Sequence, residues 1–508
     1  MLIPLPLILL LLLGLSFGLC LLLTPVVRAL ATRLGLEDRP DKRRKMHARP
    51  IPVAGGLAVV ASCITVLAVV LIVPNPLRDH LWENEKNLVG LVLGTLAICA
   101  VGVADDYRCL RGRYKVLGQI GAVAVVIGFG VVVRTIHVFG FQLELGVFAV
   151  PFTAFWLLGA INSLNLIDGM DGLLSSVGVI VSLAMAVLAG MHGHWTAACV
   201  AVVLAGALLG FLRYNFPPAT IFLGDSGSMV VGLVVGVLAI QSSFKAPATV
   251  ALAAPTALLI IPIFDTVAAI IRRKLTGRSL YSTDRGHLHH CLLRSGLSNR
   301  RVLLVVSSLC VLTVVGVLAS MAYKQESLAL LSAIAVVLIL VVSRLFGFAE
   351  LQLLVKRFST LFHSFLVTPA AHEVQVRLQG SANWQELWGR LTVVAEQLRL
   401  RSVRLDVNAP AIHEGYHARW ESRLSSLEDG LWRAEIPLSA RGHLAGRLEI
   451  AGFRDEGAVW LKVAKMAALG EEIENVVSSL TAEREASPLI GSTGSLTARA
   501  REVQTVTS

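Results

Sequence analysis

Eleven stretches of predominantly apolar residues, at 2–30, 53–73, 87–104, 115–133, 147–166, 173–191, 196–212, 228–244, 248–271, 302–322 and 327–346, fill most of the first part of the chain. Each approaches the roughly 20 residues that a helix needs to cross about 30 Å of hydrocarbon. So many apolar helices cannot all hide from water in one core, and the first constraint is therefore a lipid bilayer. With 55% hydrophobic residues and a mean hydropathy of +0.71, the chain lies far from ordinary soluble domains. The expected fold is an all-α polytopic membrane protein of about eleven transmembrane helices, followed by a small soluble α+β domain.

Charge decides how such a bundle sits. If the first run begins outside, the inner loops are 31–52, 105–114, 162–172, 213–227 and 272–301. These hold clusters such as Arg43-Arg44-Lys45 and Arg272-Arg273-Lys274, while the opposite loops hold only Arg78, Lys86, Arg134, Lys245 and Lys324. This positive-inside asymmetry explains the net charge of +11 better than a nucleic-acid surface does, because the basic residues flank apolar runs. No nucleic-acid partner is expected. The first run has no basic leader or small-residue cleavage site, and reads as a retained helix. Seven scattered cysteines without a C-x-x-C pair read as small core residues.

Acidic residues interrupt this pattern at particular places. Asp105-Asp106 closes the third run, Asn165, Asp168, Gly169, Asp171 and Gly172 join the fifth to the sixth, and Gly224-Asp225 opens the eighth. Together with His287, His289 and His290, all lie on the inner side of the proposed topology. A carboxylate placed in hydrocarbon costs about 2.5 to 3.5 kcal/mol even on the lenient insertion scale, so acidic groups retained beside spans are candidates for function.

Each motif also has a plainer explanation. Two adjacent carboxylates repel unless a cation or a shared proton intervenes, which suits Asp105-Asp106 to magnesium binding or base catalysis, but the pair also reads as a polar helix end. Lys115 is placed to meet a phosphate or to snorkel. Asn162, Asn165, Asp168 and Asp171 recur every three residues and sweep around a helix, with Gly169 allowing close backbone approach; a simple Asn/Asp turn is the alternative. Asp225 reads as an N-cap or as the holder of a metal-bridged phosphate. Asp265 is either a further site member or a partner for Arg272 or Arg273. The histidine cluster, preceded by Asp284 and Arg285, suits a pyrophosphate, although H-x-H spacing keeps a zinc hydrolase in play. A transporter of phosphorylated solutes is the other rival, and would place its polar groups at mid-membrane depth.

Beyond Val342 the pattern changes. Leu351–Leu366 has helical spacing of apolar and basic residues and reads as an interfacial linker helix within 347–371. Residues 372–482 read as the α+β domain. Its expected strands are Val374–Leu378 and Val403–Val407, with a helix at Trp384–Leu398, a hairpin from Trp432–Leu438 and Leu444–Ala451, and a closing helix at Val459–Leu480. The domain carries no catalytic motif and suits regulation or a cytosolic partner. Residues 483–508 read as a disordered tail.

The ordered set RKMHARPIPVAGG from Arg44, DDYRCLRGRYKVLGQI from Asp105, NSLNLIDGMDGL from Asn162, NFPPATIFLGDSGS from Asn215 and DRGHLHHCLL from Asp284 resembles the polyprenyl-phosphate N-acetylhexosamine-1-phosphate transferase family over residues 1–346. HLHH is similar to the bacterial branch that begins O-antigen, teichoic acid or arabinogalactan assembly rather than to the muramoyl-pentapeptide branch. The resemblance implies transfer of a sugar 1-phosphate from a UDP-N-acetylhexosamine, most simply UDP-GlcNAc, to polyprenyl phosphate with release of UMP, at the cytosolic face of a bacterial inner membrane. It implies magnesium, with manganese as a substitute, at Asp225 and Asp106. Asp105 and Asp106 are implied as base, nucleophile or acceptor-site residues. Asn165, Gly169, Asp171 and Phe222, with Asp168 and Asn215 nearby, are implied around the uridine, and Arg285, His287, His289 and His290 around the pyrophosphate and sugar. Membrane lipid is an implied partner, and a homodimer is compatible with the resemblance.

Overall fold

The computed structural model describes residues 4–38, 50–138, 141–242, 244–246, 249–251, 253–276 and 286–366, and further on 372–379, 382–409, 412, 414–422, 431–440, 443–453 and 458–486. The chain divides into two compact units, Met1–Leu354 and Val355–Ser508.

The first unit is helical. In order it contains α1 (Leu5–Arg33), α2 (Gly55–Ile72), α3 (Pro76–Glu83), α4 (Glu85–Arg108), α5 (Gly112–Gly128), α6 (Ala149–Ile167), α7 (Leu173–Met191), α8 (Trp195–Asn215), α9 (Gly224–Gln241), α10 (Ala253–Leu258), α11 (Ile260–Leu275), α12 (Leu288–Arg294), α13 (Asn299–Ala322) and α14 (Glu326–Val342). Helix α15 (Phe348–Leu366) leaves it. Among the described residues, α1, α2, α4, α6, α7, α8, α9 and α13 are long and apolar enough to cross a membrane, and α14 is a shorter apolar helix. The expected ninth run, 248–271, is not one helix. A short strand precedes α10, and α11 starts afresh at Ile260, with Pro255 and Pro262 interrupting the run. The fourth run likewise stops at Gly128 instead of reaching 133.

Burial separates the helices into lipid-facing and central ones. Only 22% of the apolar window of α1 is buried, and Leu10, Leu11, Leu22 and Val26 point outward. Such surface is stable only against hydrocarbon. In α9 the buried share is 89%, which makes it the centre of the bundle. Two neighbours reach its first turn at very short range. A Cβ on Gly102 of α4 would lie 2.3 Å from Ser226 Cα, and one on Gly56 of α2 would lie 2.2 Å from Gly227 N. Small residues let membrane helices approach backbone to backbone, and here they bring the end of α4 and the start of α2 onto the start of α9.

Two small sheets tie the loops. Strands β1 (Glu37–Asp38) and β2 (Ile51–Pro52) pair antiparallel. The chain after β2 then takes up the 222 loop, since Phe222 N–H donates to Pro52 O (2.9 Å) and Gly55 N–H to Phe222 O (3.0 Å). The loops between α5 and α6 and between α9 and α10 supply β3 (Thr135–Val138), β4 (Phe141–Glu144), β5 (Phe244–Ala246) and β6 (Thr249–Ala251), ordered β4-β3-β6-β5. Chain direction puts this sheet at the end of the bundle opposite Asp105, Asp168 and Asp225.

The second unit is α+β. Strands β7 (His372–Gln379), β8 (Leu400–Ala409), β9 (Glu414–Glu421), β10 (Leu431–Ala440) and β11 (His443–Phe453) form an antiparallel sheet ordered β10-β11-β8-β9-β7. Helices α16 (Trp384–Gln397) and α17 (Val459–Ala486) accompany it, and Trp384, Trp388, Leu405, Tyr416, Leu448 and Met466 share the buried core. Every expected element of this unit is present. Strand β9 was not expected, because Glu-Gly-Tyr-His-Ala-Arg-Trp-Glu does not alternate cleanly, and it is nevertheless almost wholly buried. The tail from 487 onward lies outside the described residues.

Candidate functional site

The acidic motifs converge at the shared end of α4, α5, α6 and α9. Lys115, in the first turn of α5, lies between them. Its ammonium contacts Asp225 Oδ1 at 2.8 Å and Asp105 Oδ2 at 2.9 Å, and donates to Asn165 Oδ1 at 3.3 Å. Lys115 therefore turns inward, into the carboxylates, and does not snorkel. Asn165 Nδ2 donates to Asp225 Oδ1 and, at 2.7 Å, to Ser228 Oγ. Four helices thus meet on one carboxylate.

The two adjacent aspartates have different tasks. Asp105 accepts the Leu110 N–H at 2.7 Å, which closes the turn after α4, and gives its other oxygen to Lys115. Asp106 points the other way. Its Oδ1 accepts Asp225 N–H (2.8 Å) and its Oδ2 accepts Ser226 N–H (3.1 Å). A helix leaves its first N–H groups unpaired, and α9 has these two satisfied by a residue from another helix. Asp225 is thus not the cap of α9. It is held in place by one, and Asp106 serves here as that cap.

Around this centre stand residues that hold the loops. Asn215 Oδ1 accepts Gly172 N–H (3.1 Å) and Ser175 O–H (2.9 Å), while its Nδ2 donates to Ile221 O (3.0 Å). Asp171 Oδ2 accepts Ala219 N–H (2.9 Å). Both side chains hold the loops of the site in shape. Asn162 and Gln119 exchange amide hydrogen bonds of 2.9 and 3.3 Å between α6 and α5. Asp168, just past the end of α6, donates its backbone N–H to Asn165 O at 3.3 Å, but its carboxylate makes no hydrogen bond or ion pair among the described residues. Burial, reinforced by the charges of Asp225, Asp106 and Asp171, pushes its carboxyl well above the usual range. Among the described residues no positive charge meets that carboxylate.

The histidines approach from α12. A Cβ on Gly169 would lie 2.4 Å from His289 Nε2 and 2.6 Å from its Cε1, so the imidazole rests directly on the glycine backbone. Only a residue without a side chain permits this. His289 is buried, and its Nε2 has no hydrogen-bond partner among the described residues. Burial first, and then the neighbouring His290 and His287, lower its pKa to about 3, so it is a neutral imidazole. His290 lies beside it with ring centroids 4.2 Å apart. His287 faces the other way, with Nδ1 3.2 Å from Asp265 Oδ2. Asp265 pairs here with His287, not with Arg272 or Arg273. Phe222 contributes backbone contacts to the 52–56 segment. Arg285 and Asp284 lie outside the described residues.

No three His, Cys, Asp or Glu side chains among the described residues converge as a ready-made metal site. Zinc is normally held by three or four protein ligands. Magnesium is commonly held by one or two carboxylates and completed by substrate phosphates and water, and Asp225, with the Asp168 carboxyl close enough to feel its charge, fits that arrangement. Sequence reading missed Ser228 and Gln119, whose neutral side chains give no signal against a membrane helix.

A family model described as Glycosyl transferase family 4 matches residues 88–243, which run from α4 through α9. The probable undecaprenyl-phosphate N-acetylglucosaminyl 1-phosphate transferase of Bacillus subtilis (strain 168) is 34% identical over 288 residues, covering 56% of this chain and 77% of the relative. The decaprenyl-phosphate N-acetylglucosaminephosphotransferase of Mycolicibacterium smegmatis is 34% identical over 340 residues, 62% of this chain and 83% of the relative. The undecaprenyl-phosphate alpha-N-acetylglucosaminyl 1-phosphate transferase of Escherichia coli (strain K12) is 27% identical over 301 residues, 58% and 78% of the respective chains.

Proposed function

The chain belongs to the polyprenyl-phosphate N-acetylhexosamine-1-phosphate transferase family, and from that premise we propose that it transfers GlcNAc 1-phosphate from UDP-GlcNAc to a polyprenyl phosphate and releases UMP. The carrying observation is the convergence of Lys115, Asp105, Asp225 and Asn165 at 2.5 to 3.3 Å, with the His289 imidazole seated on Gly169. The acceptor and the transferred sugar phosphate follow the names of the relatives, while the UDP donor and the place of this step at the start of a cell-envelope polysaccharide follow from the family resemblance.

An oxygen of the lipid phosphate attacks the sugar-bearing phosphorus of the donor. The bond from that phosphorus to the bridging oxygen breaks, and the electrons leave with UMP. Two anions must approach, so the protein has to supply positive charge and donors where phosphate charge develops. Lys115 supplies an ammonium at the centre, and Asn165 orients the Asp225 carboxylate. Asp106 fixes the start of α9 and, with it, the position of Asp225. Neutral His289 and the adjacent His290 offer ring N–H groups to the pyrophosphate. Asp225, with Asp168 beside it, would hold magnesium, which when bound adds charge neutralisation at the phosphates. The positive charge of the inner loops supports a cytoplasmic position for this end at the inner membrane, where UDP-sugars are made, and the mixed apolar and basic spacing of α15 supports an interfacial position for that helix.

Purified protein given UDP-GlcNAc, undecaprenyl phosphate and magnesium should release UMP and form the lipid-linked sugar diphosphate. EDTA should stop the reaction, and magnesium or manganese should restore it. Restoration by zinc alone would return the histidines to a zinc-hydrolase reading, and absence of UMP release with any UDP-N-acetylhexosamine would sink the transferase reading.

A further inference from the structure

Helix α11 carries two buried ionisable residues, Asp265 and Arg272, seven positions apart and so on one face two turns from each other. Both act on the segment that bears the histidines. Asp265 receives His287 Nδ1 at 3.2 Å and the Leu288 N–H at 3.0 Å. Arg272 works by contact: a Cβ on Gly286 would lie 2.3 Å from its Cζ, 2.4 Å from Nη2 and 2.6 Å from Nε, so the backbone before His287 lies against the guanidinium plane.

Arg272 is itself fixed from elsewhere. Its Nη1 pairs with Glu350 Oε1, in the first turn of α15, and both side chains are buried. The elbow before Glu350 is packed on the same helix, since Phe346 and Phe264 meet edge to face at 5.3 Å and a Cβ on Gly347 would lie 2.5 Å from Phe264 Cζ. A planar guanidinium held at one edge by a carboxylate presents a fixed face to whatever stacks on it.

We propose that Glu350 and Arg272 are positioning residues for the reaction: the buried pair holds the Gly286–His290 segment at the distance from Gly169 that presents His289 and His290 to the pyrophosphate. This rests on the transferase reading of the histidines. It also means that the chain leading to the second unit begins at a residue that braces the site.

Glu350→Gln keeps the size of the side chain and removes the charge that fixes Arg272. It should raise KM for UDP-GlcNAc and lower kcat/KM by about ten- to a hundredfold, as a misplacement of roughly 1 Å does, while KM for the lipid phosphate stays within about twofold. Arg272→Lys should behave alike, because an ammonium has no plane to offer Gly286. Glu350→Asp should recover part of the loss, and Glu386→Gln on α16 serves as the neutral control. Hydrogen exchange on the detergent-solubilised full chain gives a second measurement. The Leu288 and Cys291 amides should exchange faster in Glu350→Gln, with α9 unchanged. Wild-type kinetics with wild-type exchange over 286–294 would overturn the proposal. So would a fall in kcat alone with faster exchange throughout the bundle, which is what general destabilisation produces. Were the wild-type chain to release no UMP, the transferase reading would fail, and the exchange measurement would still decide whether the pair holds the histidine segment.

Discussion

In the C-terminal sheet, charged side chains pair with near neighbours. Arg404 on β8 meets Glu449 across the ladder at 3.4 Å, and Arg447 reaches Glu435 on the next strand at 3.9 Å and Glu449 two residues along at 3.2 Å. In the membrane unit, Lys115 reaches Asp225, 110 positions away, and Asp106 reaches across 119 positions to an N–H of α9. The sheet pairs follow from strand register and are partly open to water, where such pairs are worth about 0 to 1 kcal/mol each. Four helices have to be packed to bring the membrane-end charges together, and Asp105 among them is buried, where a carboxylate is costly to keep. Charges gathered at such cost call for a task beyond stability, which these open, register-set pairs of the sheet do not.

The largest expected effect tests this contrast directly. Asp225→Asn leaves an amide where Lys115 and Asn165 now meet a carboxylate, and removes the charge that would hold magnesium. UMP release should fall by at least about a hundredfold, the scale of losing one preorganised electrostatic contact or more. Activity within tenfold of wild type would put Asp225 in the same class as Glu449.

Asp106→Asn should come next. An amide has one oxygen to offer where the carboxylate offered two, so either Asp225 N–H or Ser226 N–H faces an NH2 group. Leaving one buried donor unpaired costs about 1 to 3 kcal/mol, and a lower Tm in detergent should accompany the loss of turnover. Loss of turnover with an unchanged Tm would mean that Asp106 acts on substrate more than on α9.

A smaller effect is expected from pH. The folded-state pKa of His289 is lowered to about 3. Its stabilising contribution is complete above the unfolded value near 6.5 and is lost as pH falls toward 3, with a slope of at most about 1.4 kcal/mol per pH unit between. Asp168 has the opposite sign: its raised pKa favours the fold below the unfolded value near 3.9, and that contribution disappears as pH rises through the folded one. The two trends overlap, so the useful quantity is a difference. His289→Gln should lose less stability than wild type between pH 6.5 and 4, and identical pH profiles of Tm would show that the imidazole is not held neutral.

These predictions also show which parts of the site the sequence made legible. Asp105, Asp106, Asp168 and Asp225 stood out because carboxylates are costly beside spans, and apolar run lengths placed them at helix ends. That Asp106 caps α9 could not be read, because a cap drawn from another helix leaves no local spacing. Lys115 was ambiguous for the same reason, since its partners lie on α4, α6 and α9. Glu350 was invisible within an amphipathic helix where a glutamate looks like solvated surface. The split of 248–271 into α10 and α11 was hidden by apolar composition around Pro255 and Pro262, and β9 by its lack of alternation. Local pattern showed where polar groups were kept, and packing determined which of them meet.

The smallest expected effect concerns the second unit. A chain ending near Thr368 keeps every residue of the candidate site, and it keeps α15 with Glu350 against Arg272. It loses the whole β10-β11-β8-β9-β7 sheet, whose own core of Trp384, Trp388 and Leu405 belongs to the second unit. Turnover measured with UDP-GlcNAc and undecaprenyl phosphate should therefore stay within about twofold of the full chain, as expected when independent units are separated. Any change in regulation or in recruitment of a cytosolic partner should appear in cells rather than in this assay. If instead the inserted and folded truncation loses all turnover, the second unit contributes to the chemistry, and the division between costly site charges and locally paired sheet charges no longer separates function from fold.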